Sequence, residues 1–174
     1  MERELLQTLG EGMTGDQAAS LVTRMERHEI AAGTALFRYG ETADRVYYLQ
    51  SGTLTASLDV DGVRLEIGVV PPGHWLGEIN LIDEGPASAD VIANDEAVLY
   101  SLRHDALVSL RDDDPEIAAI LLRNLTRDLA ARLRRTSAGL VERVNDHQFR
   151  LATGEVRRGW FSRAIGKLFS GGDR

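Results

Sequence analysis

The chain has 174 residues, of which 43% are hydrophobic, and its formal net charge is −7. This length and composition suffice for one domain with its own core, followed by a tail. The negative charge argues against generic nucleic-acid binding, the longest apolar runs are too short for a transmembrane helix, and the absence of cysteine excludes disulfides and thiolate metal sites. We therefore expect a cytoplasmic protein.

The first predicted element is an amphipathic helix near the N-terminus. Thr14 and Gln17 have the spacing of a capping box, in which each side chain bonds to the backbone of the other residue. The apolar residues that follow fall on one helical face: Ala18, Leu21, Val22 and Met25.

Frequent glycines then separate short apolar runs, which is typical of a small antiparallel barrel or roll. These glycines are Gly33, Gly40, Gly52, Gly62, Gly68, Gly73 and Gly77.

One hairpin can be registered from the sequence, because Asp61-Gly62 favours a two-residue type I′ turn. Pairing across this turn places apolar residues opposite apolar residues on one face. The predicted pairs are Val60 with Val63, Leu58 with Leu65, Ala56 with Ile67, and Leu54 with Val69.

Further along, Ala97 to Leu102 predicts a strand and Asp105 to Leu110 a short helix. Asp114-Pro115-Glu116 is a strong helix start, with a capping residue, a proline in the first helical position and an acid in the first turn. The helix is expected to end near Ser137 to Gly139. Its apolar stripe comprises Ala118, Leu122, Leu125, Leu129 and Leu133, widened by Ile117 and Leu121.

The stretch from Gly73 to Ile92 is the most informative for function. A strand that ends in glycine and opens a helical turn at Gly77-Glu78 directs several backbone N–H groups at one point, where an anion can sit. A Gly-Pro break at Gly85-Pro86 and a second apolar strand follow. This order predicts a phosphate-binding turn.

The same stretch resembles the phosphate-binding cassette of cyclic nucleotide-binding domains, with matches at Gly77, Glu78, Pro86 and Ala89. The resemblance spans roughly residues 14 to 135. It implies an α+β, mainly β fold, in which an antiparallel β-roll or jelly roll is flanked by an N-terminal helix and a long C-terminal helix. It also implies that the helix over 115–135 closes over the nucleotide. The apolar stripe of this helix can pack on its own roll, form a homodimer with a second copy, or do both.

The resemblance assigns ligand binding to Gly77, Glu78, Ile79, Ala87, Ser88 and Ala89. In the family, the glutamate accepts the ribose 2′-hydroxyl, the role that falls to Glu78. The cassette arginine that pairs with the cyclic phosphate is replaced by Ala87, and its Ser or Thr is replaced by Asp90. Asp90 would repel a phosphate if its side chain faced the pocket.

Two readings of the pocket follow from these departures. In the first, the phosphate site is degenerate. A cyclic nucleotide then binds weakly or not at all, and no cofactor is expected. In the second, another cation replaces the missing arginine, and the protein is a genuine cAMP or cGMP sensor. Arg123 and Arg127 are the candidate substitutes on the long helix, and Arg38 and Arg45 are candidates on neighbouring strands.

The predicted domains are the roll with its helices over 1–135, a linker or helix extension over 136–154, and a basic amphipathic tail helix over 155–174. Residues 140–174 hold seven Arg and Lys against four Asp and Glu. Apolar and basic side chains of the tail alternate at helical spacing, which favours docking of 155–170 on an anionic membrane surface at the inner face of the membrane or on a partner protein. The candidate contact residues are Arg157, Arg158, Trp160, Phe161, Arg163, Lys167, Leu168 and Phe169.

The sequence therefore predicts a non-catalytic regulatory or adaptor module. No catalytic constellation or metal site stands out among the isolated histidines and carboxylates. DNA is not expected as a partner, because the residues after the long helix are too few for a winged helix-turn-helix.

Overall fold

The computed structural model describes residues 8–79 and 85–152, with side chains described as far as residue 137. Within these described residues, three helices and eight strands follow in the order α1 (Gly15–Thr23), β1 (Glu26–Ile30), β2 (Ala35–Phe37), β3 (Arg45–Ser51), β4 (Leu54–Val60), β5 (Val63–Val70), β6 (Trp75–Leu76), β7 (Asp90–Ala93), β8 (Ala97–Arg103), α2 (His104–Asp113) and α3 (Pro115–Ala152).

The strands form two four-stranded sheets in which every pairing is antiparallel. One sheet has the order β1-β8-β3-β6 and the other has the order β2-β7-β4-β5. A buried cluster drawn from both sheets joins them: Phe37, Leu49, Leu54, Leu76, Ala87, Val91, Ala93, Ala97 and Leu99. The predicted antiparallel roll flanked by helices is confirmed.

A second buried cluster joins the first sheet to the helices. It contains Leu21 of α1, Tyr48 of β3, Trp75 of β6 and Leu110 of α2, with four residues of α3. The predicted stripe of α3 thus packs on its own roll through Ile117, Ala118, Leu121 and Leu125. Its pairing with a second copy stays a prediction.

The predicted cap of the first helix is confirmed. The backbone N–H of Gln17 donates to Thr14 Oγ1 at 3.2 Å, and that of Thr14 donates to Gln17 Oε1 at 2.9 Å. Two backbone groups at the start of α1 are therefore satisfied reciprocally. Ala18 and Leu21 are buried, as the helical spacing indicated.

The hairpin β4–β5 is correct near its turn and wrong beyond it. Asp61 and Gly62 both have positive φ, as a type I′ turn requires. Val60 pairs with Val63 and Leu58 with Leu65, as predicted. A β-bulge then shifts the register, so that Ala56 pairs with Gly68 and Leu54 with Val70. The predicted pairs of Ala56 with Ile67 and Leu54 with Val69 are therefore wrong.

The bulge has a physical reason in the position of β5 at the edge of its sheet. Bulges are frequent at sheet edges, where an extra residue can twist away from the ladder. With the shifted register, Val70 packs against the core whereas Val69 is exposed.

The long helix begins at Pro115, as predicted, but it does not end at Ser137 to Gly139. It continues to Ala152. A single interior glycine costs only about 1 kcal/mol relative to alanine, which is too little to end an established helix.

Candidate functional site

The turn after β6 requires glycine at position 77. Gly77 has φ of +81°, and a Cβ there would lie 2.7 Å from Phe37 Cζ and 2.9 Å from the carbonyl oxygen of Arg45. The backbone therefore passes against β2 and β3 with no room for a side chain. Glu78 and Ile79 follow as the start of a helical turn.

A cavity of about 150 Å³ opens beside this turn. Its walls come from both ends of the cassette, from the second sheet and from α3. The lining residues are Phe37, Ala56, Ile67, Val70, Leu76, Gly77, Glu78, Ile79, Ala87, Ser88, Ala89, Val91, Leu129 and Arg132. All but Glu78, Ser88 and Arg132 are apolar.

The Glu78 carboxylate is the most deeply buried charged group of the site, at 1% exposure. Its Oε1 accepts a hydrogen bond from Arg132 Nη1 at 2.8 Å. Its Oε2 is also buried, and no donor among the described residues bonds to it. Burial raises the pKa of the Glu78 carboxyl above its ordinary value, and the Arg132 guanidinium opposes that rise.

Arg132 and Asp128 lie one helical turn apart on α3, and both form hydrogen bonds with the cassette. Arg132 also donates to the carbonyl oxygen of Trp75. Asp128 accepts from the Trp75 backbone N–H at 2.7 Å and from His74 Nδ1 at 2.6 Å. Because a carboxylate only accepts, Nδ1 of His74 carries the proton in this contact. The helix is thus fixed to residues 74–78 by a cluster of charge-assisted bonds.

The structure brings together all six cassette residues that the sequence suggested. Gly77, Glu78, Ile79, Ala87, Ser88 and Ala89 line the same cavity. Ala87 is only 4% exposed, and its backbone is fixed by bonds to Glu41 and Gly40. At the position of the family's arginine, the only side-chain group at the cavity wall is therefore the methyl group of Ala87. Binding of a ligand by these residues stays a prediction.

Asp90 does not line the cavity. Its Oδ1 accepts the backbone N–H of Tyr39 at 2.8 Å, which directs the carboxylate to the β2 side. The repulsion that we considered from Asp90 therefore does not arise in this arrangement.

The candidate substitute cations also lie elsewhere. Arg127 forms an ion pair with Glu11 at 2.9 Å, and Arg123 donates to the Glu11 carbonyl oxygen at 3.4 Å. Arg45 is paired with Glu26 and Asp44, and neither it nor Arg38 lines the cavity. Both helix candidates are on the face of α3 that meets the N-terminal segment.

Sequence reasoning missed Arg132, the arginine that does line the cavity. A signal was present, because Arg132 is seven residues after the buried Leu125 and three after Leu129. This spacing puts it on the buried stripe of the helix, where a cation needs a partner.

Two predictions fall wholly or partly outside the described residues. The basic tail over 155–174 lies beyond Ala152, and the proposed linker over 136–154 is described only as helix backbone after residue 137. Both stay predictions. Within the described residues, no helix is long and apolar enough to cross a membrane.

Two antiparallel sheets, a glycine–glutamate turn and a cavity walled by the C-terminal helix are the architecture of a β-roll domain. The family model for the cyclic nucleotide-binding domain matches residues 27–114. The chain belongs to the cyclic nucleotide-binding domain family.

Three similar proteins illustrate this membership. A CRP-like cAMP-activated global transcriptional regulator of Mycobacterium tuberculosis is 31% identical over 135 residues, which cover 77% of this chain and 58% of the regulator. The N-terminal domain of a transcriptional regulator from Streptomyces coelicolor A3(2) is 32% identical, with a TM-score of 0.62, over 78% of this chain and 94% of that domain. A cyclic nucleotide-binding domain from Methylobacillus flagellatus KT shares the fold with a TM-score of 0.77 at 22% identity, over 81% of this chain and 83% of that one.

These comparisons confirm a non-catalytic regulatory family, as predicted, and correct one prediction about partners. The exclusion of DNA is wrong, because the similar proteins include transcriptional regulators. That prediction failed because it was based on the net charge and the length of this chain. The chain spans 58% of the Mycobacterium regulator it matches, so the charge of the roll says nothing about contacts made by other parts of such a protein.

Proposed function

We propose that this domain is a regulatory module whose phosphate-binding site is impaired, so that it does not respond to cyclic nucleotides in the manner of the family. The observation that carries the proposal is the charge of the cavity wall. Ala87 stands buried at the position of the phosphate-binding arginine, and the one described cation that lines the cavity, Arg132, is already paired with Glu78.

The state of Glu78 supports the same proposal. According to the resemblance, this carboxylate accepts a hydrogen bond from the ribose hydroxyl. Its Oε1, however, already accepts one from Arg132. A nucleotide would have to share this carboxylate with Arg132 or displace the guanidinium. Displacement would also break the bond from Arg132 to the Trp75 carbonyl, which fixes the helix to the cassette.

The free-energy cost of the missing arginine indicates how strongly the affinity for a cyclic nucleotide is reduced. Removing one partner of a buried charged pair costs about 2–5 kcal/mol. At 1.4 kcal/mol per decade, this corresponds to roughly a 30- to 4,000-fold loss of affinity. Ser88 lines the cavity but is exposed, and a hydroxyl lacks the charge and the two parallel donors of a guanidinium.

A second candidate function is supported by the place of Arg132. Its guanidinium lines the cavity and is one-third exposed, so it is the side chain that can act as a substitute cation in a genuine cyclic-mononucleotide sensor. In that case Arg132 leaves Glu78 for the phosphate, and Glu78 becomes available to the ribose.

The test is a gain of binding at residue 87. Calorimetric titration with cAMP is carried out on the unmodified chain, on Ala87→Arg and on Ala87→Met, which adds comparable bulk without charge. We expect binding by Ala87→Arg and none by the other two. Equal binding by the unmodified chain and Ala87→Arg, abolished by Arg132→Gln, would instead establish the second candidate.

A further inference from the structure

The strand β5 forms a long free edge of the second sheet. Within the described residues it pairs with β4 alone, and it has eight residues, whereas the other edge strands β1, β2 and β6 have five, three and two. A free edge pairs readily with another strand unless it is short, charged or covered. β5 exposes Val63 and Ile67, at 52% and 39%, and its two charged residues, Arg64 and Glu66, have opposite signs. This edge is therefore suited to pairing.

The hairpin turn determines which backbone groups of β5 point away from β4. A two-residue turn makes its flanking residues, here Val60 and Val63, a hydrogen-bonded pair. Bonded and non-bonded pairs alternate along an antiparallel ladder, so the N–H and C=O groups of Arg64 and Glu66 point to the free edge. The β-bulge at Ile67 then ends the regular part of this edge.

A second copy of β5 fits this edge in one antiparallel register. With the two-fold axis at Leu65, Arg64 of each copy lies opposite Glu66 of the other, and the free backbone groups of these residues meet. On the other face of the strands, Val63 lies opposite Ile67, and Leu65 lies opposite its own copy. Opposite charges in such pairs stabilise a sheet, and the apolar pairs bury surface that one copy leaves exposed.

The two neighbouring registers are disfavoured by charge. An axis at Arg64 would place two copies of this arginine opposite each other, and an axis at Glu66 would do the same for two glutamates. Like charges that lie directly opposite are destabilising. The whole chain has a net charge of −7, but β5 holds one cation and one anion, so the strand itself adds no net repulsion.

We propose that β5 is a homodimerisation edge, at which two copies pair antiparallel about Leu65 and join their second sheets into one continuous sheet. This interface does not involve α3, whose pairing with a second copy stays a separate prediction. It also does not depend on the charge of the phosphate site. The inference and the proposed function can therefore fail independently of each other.

Charge reversal tests the register. Association of the full chain is measured by sedimentation equilibrium for the unmodified protein, for Arg64→Glu, for Glu66→Arg and for the double exchange Arg64→Glu/Glu66→Arg. Each single reversal places like charges opposite each other and should raise the dissociation constant roughly tenfold or more, whereas the double exchange should restore it.

A mixture of the two single variants supplies the control for folding. Glutamate then meets arginine in both charged pairs, so the equimolar mixture should associate as tightly as the unmodified chain. Dimerisation through α3 alone would leave the dissociation constant the same in every variant. That result, or no association of the unmodified chain, would overturn the inference.

A single cysteine locates the axis directly, because the chain has none of its own. In the proposed register the two copies of residue 65 form a non-hydrogen-bonded pair with Cα atoms about 4.5 Å apart, within the range that a disulfide spans. Leu65→Cys should therefore give a disulfide-linked dimer on mild oxidation, detected on a non-reducing gel. Val63→Cys is the matched control, because its two copies are offset by four residues, roughly 13 Å, and should not cross-link. Equal cross-linking of both variants, or of neither, would overturn the inference.

Discussion

Arg132 and Glu78 form an ion pair of 2.8 Å between the long C-terminal helix and the turn that follows β6. The two partners differ in exposure: the Glu78 side chain is 1% exposed, whereas that of Arg132 is 33% exposed. Among the described residues, the carboxylate therefore depends on Arg132 for its charge compensation. The pair links the position of the helix to the electrostatics of the cavity.

Arg132→Gln should destabilise the fold, because it leaves the buried Glu78 charge uncompensated. Breaking a fully buried pair costs 3–5 kcal/mol, and the partial exposure of Arg132 reduces our expectation to about 1–3 kcal/mol. Denaturant unfolding at pH 7 measures this change. Arg134→Gln, at an exposed position of the same helix, serves as the control and should be within about 0.5 kcal/mol of the unmodified chain. A loss no larger than that of the control would show that the pair contributes nothing.

The raised pKa of Glu78 predicts a dependence of stability on pH. Since burial lifts the folded-state pKa above the unfolded one, the folded chain holds the proton over the interval between the two values. This contribution to stability is complete below the unfolded pKa and is lost as the pH rises through the folded pKa.

Glu78→Gln keeps the shape of the side chain but cannot titrate. The free energy of unfolding of the unmodified chain, relative to that of Glu78→Gln, should therefore fall as the pH rises from 4 to 7. Urea unfolding of both proteins across this range measures the difference, in which the contributions of other titrating groups cancel. A relative stability that rises over the same range would mean that the folded pKa is lowered.

Asp128→Asn should loosen the cassette from the helix. Asparagine keeps one acceptor, but the charge that strengthens the bonds to the Trp75 N–H and to His74 is gone. We expect faster hydrogen exchange of the Trp75 amide, roughly tenfold for a loss of about 1.4 kcal/mol in local stability. Asp112→Asn, an exposed substitution in α2, should leave that amide unchanged.

Gly77→Ala tests the close approach of the turn to the roll, with Gly62→Ala as a matched control. Both glycines have φ of +81°, so alanine pays about 1–2 kcal/mol for the left-handed conformation at either position. At Gly62 a Cβ meets nothing within 4 Å, whereas at Gly77 it lies 2.7 Å from Phe37. The overlap should add about 1–3 kcal/mol at Gly77, measured by chemical denaturation. Equal losses at the two sites would mean that the turn moves freely away from Phe37.

Local chemistry made much of the roll predictable from the sequence. Asp61-Gly62 determines its turn through the positive φ of both residues, and Asp114-Pro115 determines where the long helix begins. The cassette could be found for the same reason, because the glycine at 77 is required by the backbone itself.

What the sequence could not reveal depends on tertiary placement. The bulge at Ile67 arises from the twist of an edge strand and the choice of Val70 over Val69 for the core. Whether Arg123, Arg127 or Arg132 reaches the cavity depends on how the helix is rotated on the roll, and the identity of an arginine does not encode that rotation. The spacing of Arg132 after Leu125 and Leu129 indicated a place on the buried stripe, but its pairing with Glu78 depends on how the helix lies against the cassette.

The most direct test of the account is the affinity of the unmodified chain for cAMP and cGMP, measured by calorimetry at micromolar protein and neutral pH. An impaired phosphate site predicts no heat of binding for either nucleotide. A dissociation constant in the micromolar range for either one would contradict the account, because it would show that the cavity neutralises a cyclic phosphate without an arginine at position 87.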